Sequence, residues 1–252
     1  MGDLMAGKAG LVTGGASGIG KACAIRFGAE GAYVAVADLE SSREAGEAVV
    51  ETIRAAGGDA DFVACDVAEA ADCEALVRHV VAGRGRIDYA HNNAGLGPHA
   101  LLADTSDEDF DHCIAVNLRG TFVGMKHQIR AMLKTGGGAI VNTSSNAGLR
   151  AVHMLGAYTA SKHGIVGLTK IGAVEYAEQG IRVNCVCPGA IMTPLMYTQT
   201  EERQQEILSP QAMKRFGQPE EVAAAVVWLC SDEASFVTGV ALPVDAASVA
   251  GW

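Results

Sequence analysis

The stretch from Thr143 to Lys162 contains side chains that could perform acid–base chemistry, namely two adjacent serines, one tyrosine and one lysine. Tyr158 and Lys162 are four residues apart in a segment that predicts a helix, so they share one face of it. A phenol with an ordinary pKa of about 10 is a poor base at neutral pH, but a nearby ammonium group lowers that pKa. Such a tyrosine could donate a proton to a ketone or accept one from an alcohol. These features alone do not decide which serine, Ser144 or Ser145, would assist it.

A glycine-rich loop near the start of the chain indicates a dinucleotide-binding site. The loop "TGGASGIG", Thr13 to Gly20, follows an apolar run and opens a predicted helix, which is the context that this motif requires. Its glycines allow a tight turn and the close approach of a pyrophosphate, and the first N–H groups of the helix attract that anion. The loop residues predicted to contact the cofactor are Gly14, Ser17, Gly18, Ile19 and Gly20.

An acidic residue, Asp38, ends the second predicted strand, 18 residues after Gly20. A carboxylate at this position accepts hydrogen bonds from the adenosine ribose hydroxyls and repels a 2′-phosphate. A phosphate-bearing cofactor would favour Arg or Lys nearby, whereas Ser17 and Leu39 occupy the neighbouring positions. The sequence therefore favours NAD over NADP.

Polar and small residues also follow the third and fourth predicted strands. Ligands bind at the carboxyl ends of the strands in open α/β sheets. We expect Asp66 and Val67 to meet an adenine ring, and the small residues Ala94 and Gly95 to let a cofactor lie against the chain. The predicted contacts at these strand ends are Asp66, Val67, Asn93, Ala94 and Gly95.

Short apolar runs alternate with longer amphipathic stretches along the chain. The predicted strands span 9–14, 32–38, 59–67, 86–95 (with its exit loop), 138–145, 181–189 and 240–245. The predicted helices span 18–29, 41–58, about 69–83, 107–133, 157–178 and 219–230. About seven strands that alternate with helices predict an α/β fold, a doubly wound parallel sheet with helices on both faces.

The chain shows no linker, low-complexity tract or solenoid-type repeat, so we expect one domain over residues 1–252. The only long connection predicted to be irregular spans 190–218. Long loops in compact domains often act as lids or binding loops. We therefore expect this segment to cover the substrate, although a surface insertion would look the same.

The composition excludes several classes of protein. A formal net charge of −10 argues against a nucleic-acid partner and against electrostatic attachment to a membrane. No apolar run approaches the length of about 18 residues that a membrane helix needs, and the first ten residues lack a signal-peptide pattern. The seven cysteines contain no C-x-x-C pair, so we expect no metal site, no disulfide framework and a cytoplasmic location.

In combination, these motifs resemble the short-chain dehydrogenase/reductase family over nearly the whole chain. The resemblance rests on "TGGASGIG", "NNAG", "VNLRGTF", the serine strand, "YTASK" and "PGAIMT", in this order. It implies a single Rossmann domain and an NAD(H)-dependent oxidoreductase that interconverts a secondary alcohol and a ketone by hydride transfer. It also implies a homotetramer built on the helices near 107–133 and 157–178 and on the last strand.

The resemblance further implies a role for individual residues. Tyr158 would be the general acid/base, Lys162 would lower its pKa and hold the nicotinamide ribose, and Asn117 would bind a water in a proton relay through Lys162. The family's usual spacing of 13 residues between serine and tyrosine selects Ser145 as the residue that binds the substrate oxygen. Ser144 would point the other way because side chains alternate along a strand. The segment that meets the nicotinamide end would supply Pro188, Gly189, Ile191 and Thr193.

Three features leave alternatives open. The ending "VDAAS", Val244 to Ser248, departs from the "VDGG" common among relatives and could alter a C-terminal turn or a subunit contact. His99 and His153 fall in loops expected to border the substrate pocket, where they could contact a polar substrate or serve only packing. Apolar residues are concentrated in the two segments that would cover the pocket. They could line an apolar substrate pocket or only pack a lid; they are Met154, Leu155, Ile191, Met192, Leu195, Met196 and Met213.

We expect a small to medium, partly apolar substrate, such as a cyclic or aryl alcohol. The sequence also allows two other functions. One is a 3-oxoacyl-carrier-protein reductase, which would more typically use NADPH. The other is a non-catalytic dinucleotide-binding protein on the same fold, which loss of Tyr158, Lys162 or Ser145 would have favoured; all three residues are present.

Overall fold

The computed structural model of the protein describes residues 2–250, except for the side chain of Leu195. It confirms the predicted α/β fold, because seven parallel strands form one sheet in the order β3-β2-β1-β4-β5-β6-β7. The strands are β1 (Ala9–Thr13), β2 (Tyr33–Asp38), β3 (Asp59–Ala64), β4 (Tyr89–Asn92), β5 (Gly138–Thr143), β6 (Ile181–Pro188) and β7 (Ala241–Val244). Met1, Gly251 and Trp252, which belong to the predicted single domain, lie outside the described residues.

Helices cover both faces of this sheet. They are α1 (Gly18–Ala29), α2 (Arg43–Ala55), α3 (Ala70–Arg84), α4 (Asp107–Cys113), α5 (Gly120–Met132), α6 (Gly156–Tyr176), α7 (Pro194–Tyr197), α8 (Glu201–Leu208) and α9 (Pro219–Cys230). Helices α1, α2 and α9 contribute to the core on one face, and α3, α5 and α6 contribute to the core on the other. None of the helices formed by residues 2–250 has the length and apolar composition that crossing a bilayer demands.

Both faces of the strands are buried, as expected for a parallel sheet between two helical layers. On the α1 side, the ring of Phe27 stacks on that of Tyr89 with centroids 4.1 Å apart. On the opposite side, Met132 of α5 and Ile140 of β5 are fully buried. Because both cores are filled, the carboxyl ends of the strands are held in fixed relative positions.

The direction in which strands are added reverses at β1, which pairs with β2 on one side and with β4 on the other. Ligands of open α/β sheets bind outside the carboxyl ends of the strands at such a reversal. The glycine loop follows β1 and Asn93 follows β4, so the topology brings both predicted cofactor segments to this point.

The predicted helix over about 107–133 is present, but its middle is π-helical rather than α-helical. A π-helical segment, Ile114–Arg119, separates α4 from α5, and Asn117 lies within it, fully buried. A π turn breaks the regular i→i−4 hydrogen bonding, and such turns often occur at functional sites. Residue types that suit an α-helix continue through the segment, so local propensity did not reveal the change to a π-helical turn.

The predicted irregular connection over 190–218 is also wrong in part, because it contains the short helices α7 and α8. Pro194 begins α7, which suits a first helical position because proline's missing N–H is not needed there. The side chain of Thr200 caps α8 by accepting a hydrogen bond from the Arg203 N–H. The prolines and the polar composition suggested a loop, but these local caps stabilise two short helices.

Candidate active site

The predicted Tyr158–Lys162 pair lies near the start of α6, where this helix packs beside the carboxyl end of β5. The Lys162 Nζ atom is 5.3 Å from the centre of the Tyr158 ring, and the lysine is only 2 % exposed. Its ammonium group donates a hydrogen bond to the main-chain oxygen of Thr143 at 2.8 Å. The two side chains therefore share a helix face, and the end of a strand fixes the lysine.

Burial dominates the electrostatics of this pair. It raises the pKa of the Tyr158 phenol above its ordinary value, and a hydrogen bond with Ser145 acts in the opposite direction. Burial also lowers the pKa of Lys162 to about 8, with opposing effects from the thiols of Cys113 and Cys187. The expected lowering of the tyrosine pKa is thus not found in the protein alone, because loss of water disfavours the phenolate more than neighbouring groups favour it.

The two adjacent serines face in different directions, as the alternation along a strand predicts. Ser144 donates its hydroxyl hydrogen to the main-chain oxygen of Lys162 at 2.9 Å. Ser145 lies on the Tyr158 side, where its hydroxyl interacts with the phenol. Ser145 Oγ also donates to Asn146 Oδ1 at 3.1 Å and accepts a hydrogen bond from the Ala147 N–H at 3.1 Å. Only Ser145 is therefore placed to act with the tyrosine.

Asn117 is held by the loop that follows β4. Its Oδ1 atom accepts from the Leu96 N–H at 2.9 Å, and its Nδ2 atom donates to the Leu96 oxygen at 2.8 Å. The same Nδ2 also lies 3.0 Å from Ser161 Oγ. A Cβ atom on Gly95 would lie 3.2 Å from Asn117 Oδ1 and 3.3 Å from Lys162 Nζ, so these three residues converge. The proton relay through a water stays a prediction.

The glycine loop has the backbone geometry that a pyrophosphate site needs. Gly14 and Gly18 have φ values of +63° and +52°, which favour glycine. A Cβ atom on Gly20 would collide with the carbonyl oxygen of Gly14. Ser17 precedes α1 in an extended conformation, and the first N–H groups of the helix, from Gly18 and Ile19 onward, have no intrahelical acceptors. This arrangement fits an anionic group at the helix N-terminus.

The Asp38 carboxylate is fixed at the edge of the same loop. Its Oδ2 atom accepts a hydrogen bond from the Ala16 N–H at 3.0 Å, and its Oδ1 atom accepts from the Leu39 N–H at 2.9 Å. Each oxygen retains a further lone pair. The carboxylate can therefore still accept hydrogen bonds from two ribose hydroxyls without moving.

Residues after β4 and β3 complete the predicted cofactor surface. Thr13 Oγ1 accepts from the Asn93 N–H at 2.9 Å and from the Ala94 N–H at 3.1 Å, which joins this loop to β1. Asp66 Oδ1 accepts from the Ala68 N–H at 2.9 Å, which shapes the turn after β3. The carbonyl group of Val67 lies against Gly120 at the start of α5, where a side chain would not fit.

The predicted nicotinamide segment returns from β6 to the glycine loop. Pro188 ends β6, and the Gly189 N–H donates to the Val244 oxygen at 3.0 Å. Ile191 is buried, and a Cβ atom on Gly18 would lie 3.3 Å from Thr193 Cγ2. The structure therefore brings the predicted segments from β1, β2, β4 and β6 around one surface, and the donor set fits a dinucleotide.

The sequence patterns did not identify some residues that shape this site. Ser161 contacts Asn117 and lies inside "YTASK", so the motif itself could have indicated it. Thr143 and Leu96 act through main-chain atoms, which no residue type reveals. The apolar residues predicted to line the pocket differ in their exposure. Ile191 is buried, Met213 is exposed, and the side chain of Leu195 lies outside the described residues. The others are half-buried, namely Met154, Leu155, Met192 and Met196.

The two histidines singled out from the sequence differ in their surroundings. His99 Nε2 lies 2.9 Å from Arg203 Nη2 of α8, whereas His153 is exposed. Since a guanidinium group can only donate, the His99 nitrogen is the acceptor. Across residues 2–250, no three His, Cys, Asp or Glu side chains are grouped in a way that could hold a metal ion.

Comparison with known proteins places this geometry in a family. A family model described as enoyl-(acyl carrier protein) reductase matches residues 14–246. The 2,5-dichloro-2,5-cyclohexadiene-1,4-diol dehydrogenase of Sphingobium indicum is 46% identical over 250 residues, which cover 97% of this chain and 98% of that protein. Cyclohexanol dehydrogenase of an Acinetobacter species is 44% identical over 241 residues, which cover 95% of this chain and 94% of that protein.

Two further relatives bear on the choice among activities. The 3-oxoacyl-[acyl-carrier-protein] reductase of Thermotoga maritima is 41% identical over 239 residues, which cover 95% of this chain and 96% of that protein. The crystal structure of levodione reductase has a TM-score of 0.92 and 37% identity, and the match covers 98% of this chain and 100% of that chain. With the glycine loop and the Tyr158–Lys162 pair in place, these matches show that the chain is an oxidoreductase of the short-chain dehydrogenase/reductase family.

Proposed function

We propose that the protein is an NAD(H)-dependent oxidoreductase that interconverts a secondary alcohol and a ketone. The observation that carries this proposal is the convergence of Ser145, Tyr158 and the buried Lys162 at the carboxyl edge of the sheet. When bound, the nicotinamide would supply the hydride chemistry, as acceptor from the alcohol carbon or as donor to the ketone carbon. The residues of the chain then have to bind the substrate oxygen and move one proton.

Tyr158 would hold that proton. In alcohol oxidation its phenolate accepts the hydroxyl proton as hydride leaves the carbon, and in ketone reduction its phenol returns the proton to the oxygen. Ser145 would bind the substrate oxygen beside the phenol. The charge of Lys162 would stabilise the phenolate, and the convergence of Lys162, Gly95 and Asn117 offers a path by which the proton could leave.

The surroundings of Asp38 support NAD rather than NADP. Its carboxylate is fixed at the glycine loop by two main-chain N–H groups, where it would repel a 2′-phosphate. The first basic residue after it is Arg43, whose guanidinium group already bonds Glu40 at 2.7 Å and Glu47 at 3.1 Å. A 2′-phosphate would have to compete with both carboxylates for this arginine.

A ring-containing, partly apolar alcohol is the proposed substrate class. The names of two close relatives specify cyclohexanol and a cyclohexadiene diol as their substrates. In this chain, half-buried Met154 and Leu155 lie between Ser145 and Tyr158 along the chain, and half-buried Met192 lies in the segment that follows β6. Such side chains suit an apolar ring, because they bury hydrocarbon surface without requiring polar partners.

An activity screen tests this function. Purified protein is assayed with NAD and with NADP against acyclic, cyclic and aryl secondary alcohols, and the screen is repeated on Tyr158→Phe. We expect turnover with NAD and a loss of kcat by a factor of about 10²–10⁴ in the variant. Tyr176→Phe, at the other end of α6, serves as the matched control and should retain activity. Full activity of Tyr158→Phe would refute the mechanism.

A second candidate function is that of a 3-oxoacyl-carrier-protein reductase, and the Thermotoga maritima relative with that name supports it. It predicts a strong preference for NADPH and reduction of acyl-thioester substrates. The same cofactor comparison distinguishes it from our proposal. A non-catalytic dinucleotide-binding protein would instead bind NADH without turnover on any alcohol or ketone.

We also propose a homotetramer and a cytoplasmic location. An exposed groove between the π-helical segment, α5 and α6 is lined almost entirely by apolar residues, with Arg119 as its charged member: Ile114, Leu118, Arg119, Phe122, Gly164, Gly167, Leu168 and Ile171. A second copy of this chain would bury it, which supports assembly through these helices. The seven cysteines are free and buried, as expected in a reducing compartment.

A further inference from the structure

A histidine is buried in the sheet next to the proposed cofactor site. His91 lies in β4 and is fully buried. Its in-register neighbours, Val12 of β1 and Val141 of β5, belong to the core that α1 and α9 cover, so the imidazole lies in an apolar layer. Burial lowers the pKa of His91 to about 3, which keeps the imidazole neutral at physiological pH. A neutral imidazole carries one hydrogen, on either Nδ1 or Nε2.

Only one of the two ring nitrogens has a partner. His91 Nε2 lies 2.8 Å from Thr143 Oγ1, at the carboxyl end of β5. His91 Nδ1 is buried and has no hydrogen-bond partner among residues 2–250. A buried donor without a partner is costly, and among backbone groups it is rarer than an acceptor that lacks one. The surroundings of the ring therefore favour a hydrogen on Nε2 and a bare lone pair on Nδ1.

The directions of the neighbouring hydrogen bonds indicate the same tautomer. Asn93 Nδ2 donates to the main-chain oxygens of Thr13 at 3.1 Å and of Gly14 at 3.4 Å, and these oxygens can only accept. The Asn93 Oδ1 atom, which also can only accept, therefore faces Thr143 Oγ1 at 3.3 Å. This bond uses the single hydroxyl hydrogen of Thr143. The hydrogen between Thr143 and His91 must then come from Nε2.

The hydrogen-bond series His91–Thr143–Asn93 connects the catalytic strand to the glycine loop. A Cβ atom on Gly20 would lie 2.6 Å from Asn93 Nδ2, so the Asn93 amide fills the space beside the loop and the start of α1. At the other end of the series, the main-chain oxygen of Thr143 accepts the hydrogen bond from Lys162. A change in the Thr143 hydroxyl would therefore reach the cofactor loop through Asn93, while the bond to Lys162 uses a different atom of the same residue.

We propose that His91 is a positioning residue for the cofactor, because its Nε2–H group commits the Thr143 hydroxyl to Asn93. The inference rests on the proposed binding of NAD(H). If Nε2 carried no hydrogen, it would compete with Asn93 for the single Thr143 hydrogen, and the Asn93 oxygen would lose its partner. Asn93 holds the Gly14 oxygen, so its own fixation prepares the loop for the pyrophosphate and reduces the ordering that cofactor binding requires.

Two substitutions of His91 that differ in their donor test this role. His91→Met removes the donor and leaves an apolar side chain in an apolar layer, whereas His91→Gln keeps an N–H donor at the end of the side chain. The readout is the Kd for NADH, measured by fluorescence titration without substrate. We expect it to rise about threefold to tenfold in His91→Met, the size of one lost neutral hydrogen bond, and to return close to the wild-type value in His91→Gln.

The control for a general loss of stability is Val226→Ala, which is buried in the same core on α9. It should lower Tm and leave the Kd for NADH unchanged. An unchanged Kd in His91→Met, or an equal rise in His91→Met and His91→Gln, overturns the proposal.

A double-mutant cycle with Thr143→Val tests the route, since valine resembles threonine in shape but has no hydroxyl. This change should also raise the Kd for NADH, and it leaves the His91 N–H without an acceptor. In the Thr143→Val background, His91→Met should raise the Kd no further, because the series is already broken. Additive rises in Kd would show that His91 acts by another route and would overturn the proposal.

A measurement on the protein without cofactor separates this inference from the proposed function. Nitrogen NMR of the isotope-labelled protein near neutral pH, with His91 assigned by the loss of its resonances in His91→Gln, should show a protonated Nε2 and a bare Nδ1. A hydrogen on Nδ1 overturns the hydrogen-bond series whatever the cofactor affinity. If the wild type binds neither NADH nor NADPH, the proposed function fails and the positioning role of His91 fails with it, while a protonated Nε2 would still establish the series itself.

Discussion

Lys162 donates a hydrogen bond from Nζ to the main-chain oxygen of Thr143 at 2.8 Å, joining the start of α6 to the end of β5. This bond holds a cation that is 2 % exposed. None of the salt bridges formed within residues 2–250 includes Lys162. Burial without a carboxylate partner explains why the pKa of the lysine is lowered from 10.5 to about 8.

Lys162→Met should stabilise the protein near neutral pH and abolish most of its activity. Below pH 8, Lys162 is charged in both the folded and the unfolded chain, so folding bears the full cost of burying the cation. Between the folded pKa of about 8 and the unfolded value of 10.5, the unfolded chain binds more protons, and wild-type stability rises with pH. We expect the variant to be more stable by roughly 1–3 kcal/mol at pH 7, with the difference shrinking toward pH 10.5.

Thermal unfolding of both proteins between pH 7 and pH 10.5 checks this expectation. Lys170→Met, at an exposed position of the same helix, is the control and should show no such trend. A difference in stability that does not vary with pH would contradict the proposed origin of the pKa shift.

Asp38→Asn should weaken the preference for NAD. The change removes the negative charge that would repel a 2′-phosphate, while the amide oxygen can still accept one main-chain hydrogen bond. We expect the ratio of kcat/KM with NADPH to that with NADH to rise at least about tenfold. Asp59→Asn, at the opposite end of the adjacent strand β3, should leave the ratio unchanged. An unaltered ratio in Asp38→Asn would remove the argument for NAD.

Ala247→Gly should stabilise the protein because it relieves a left-handed backbone conformation. The φ value of +63° at this residue costs about 1–2 kcal/mol for a residue with a side chain, and the greater entropy of glycine in the unfolded chain offsets part of the gain. We expect an increase of about 0.5–1 kcal/mol, measured as a rise in Tm of about 2–4 °C. Ala224→Gly, at an exposed position inside α9, should instead destabilise. A loss of stability in both variants would contradict the strain argument.

Ile171→Glu should disrupt the proposed tetramer. Ile171 is half exposed and lines the apolar groove together with Phe122 of α5. A carboxylate there would have to be buried between two subunits without a partner. Light scattering coupled to size-exclusion chromatography should give a tetramer for the wild type and a smaller species for the variant. The control is Thr52→Glu, on α2 at the other face of the sheet, which should have the same oligomeric mass as the wild type. A monomeric wild type would refute the proposed tetramer.

Arg203→Ala should raise KM for the substrate while leaving kcat and cofactor affinity nearly unchanged. The Arg203 guanidinium donates to His99 Nε2 at 2.9 Å, which connects α8 to the loop that follows β4. Loss of this contact should loosen the segment expected to cover the substrate, and we expect a rise in KM of about threefold to tenfold. His99→Ala should give the same rise, and the double variant should add little to it.

Glu202→Ala, an exposed neighbour on α8, is the control for both single variants. An unchanged KM in both Arg203→Ala and His99→Ala, or a loss confined to kcat, would contradict a role for this contact in covering the substrate.

Local patterns in the sequence determined much of the fold and of the site. The apolar runs placed the seven strands, because burial on both faces of a parallel sheet requires continuous apolar residues. The positions of Gly14 and Gly18 in a strand–turn–helix context located the loop, and the four-residue spacing placed Tyr158 and Lys162 on one helix face. The family's spacing of 13 residues between serine and tyrosine selected Ser145, and alternation along the chain directed Ser144 to the other side. All of these depend on patterns within short stretches of the chain.

Only the tertiary structure decided the features that depend on distant segments or on burial. The π turn around Asn117 and the two short helices after Thr193 appear where packing and local caps select among conformations that the residue types allow. The pKa directions depend on how much water the fold removes, which no spacing encodes. The hydrogen bond from Asn146 Nδ2 to Ser248 Oγ joins residues 102 positions apart and follows a turn with Ala246 and Ala247 in left-handed conformations, so it exists only once the fold has brought the turn after β7 beside the loop after β5.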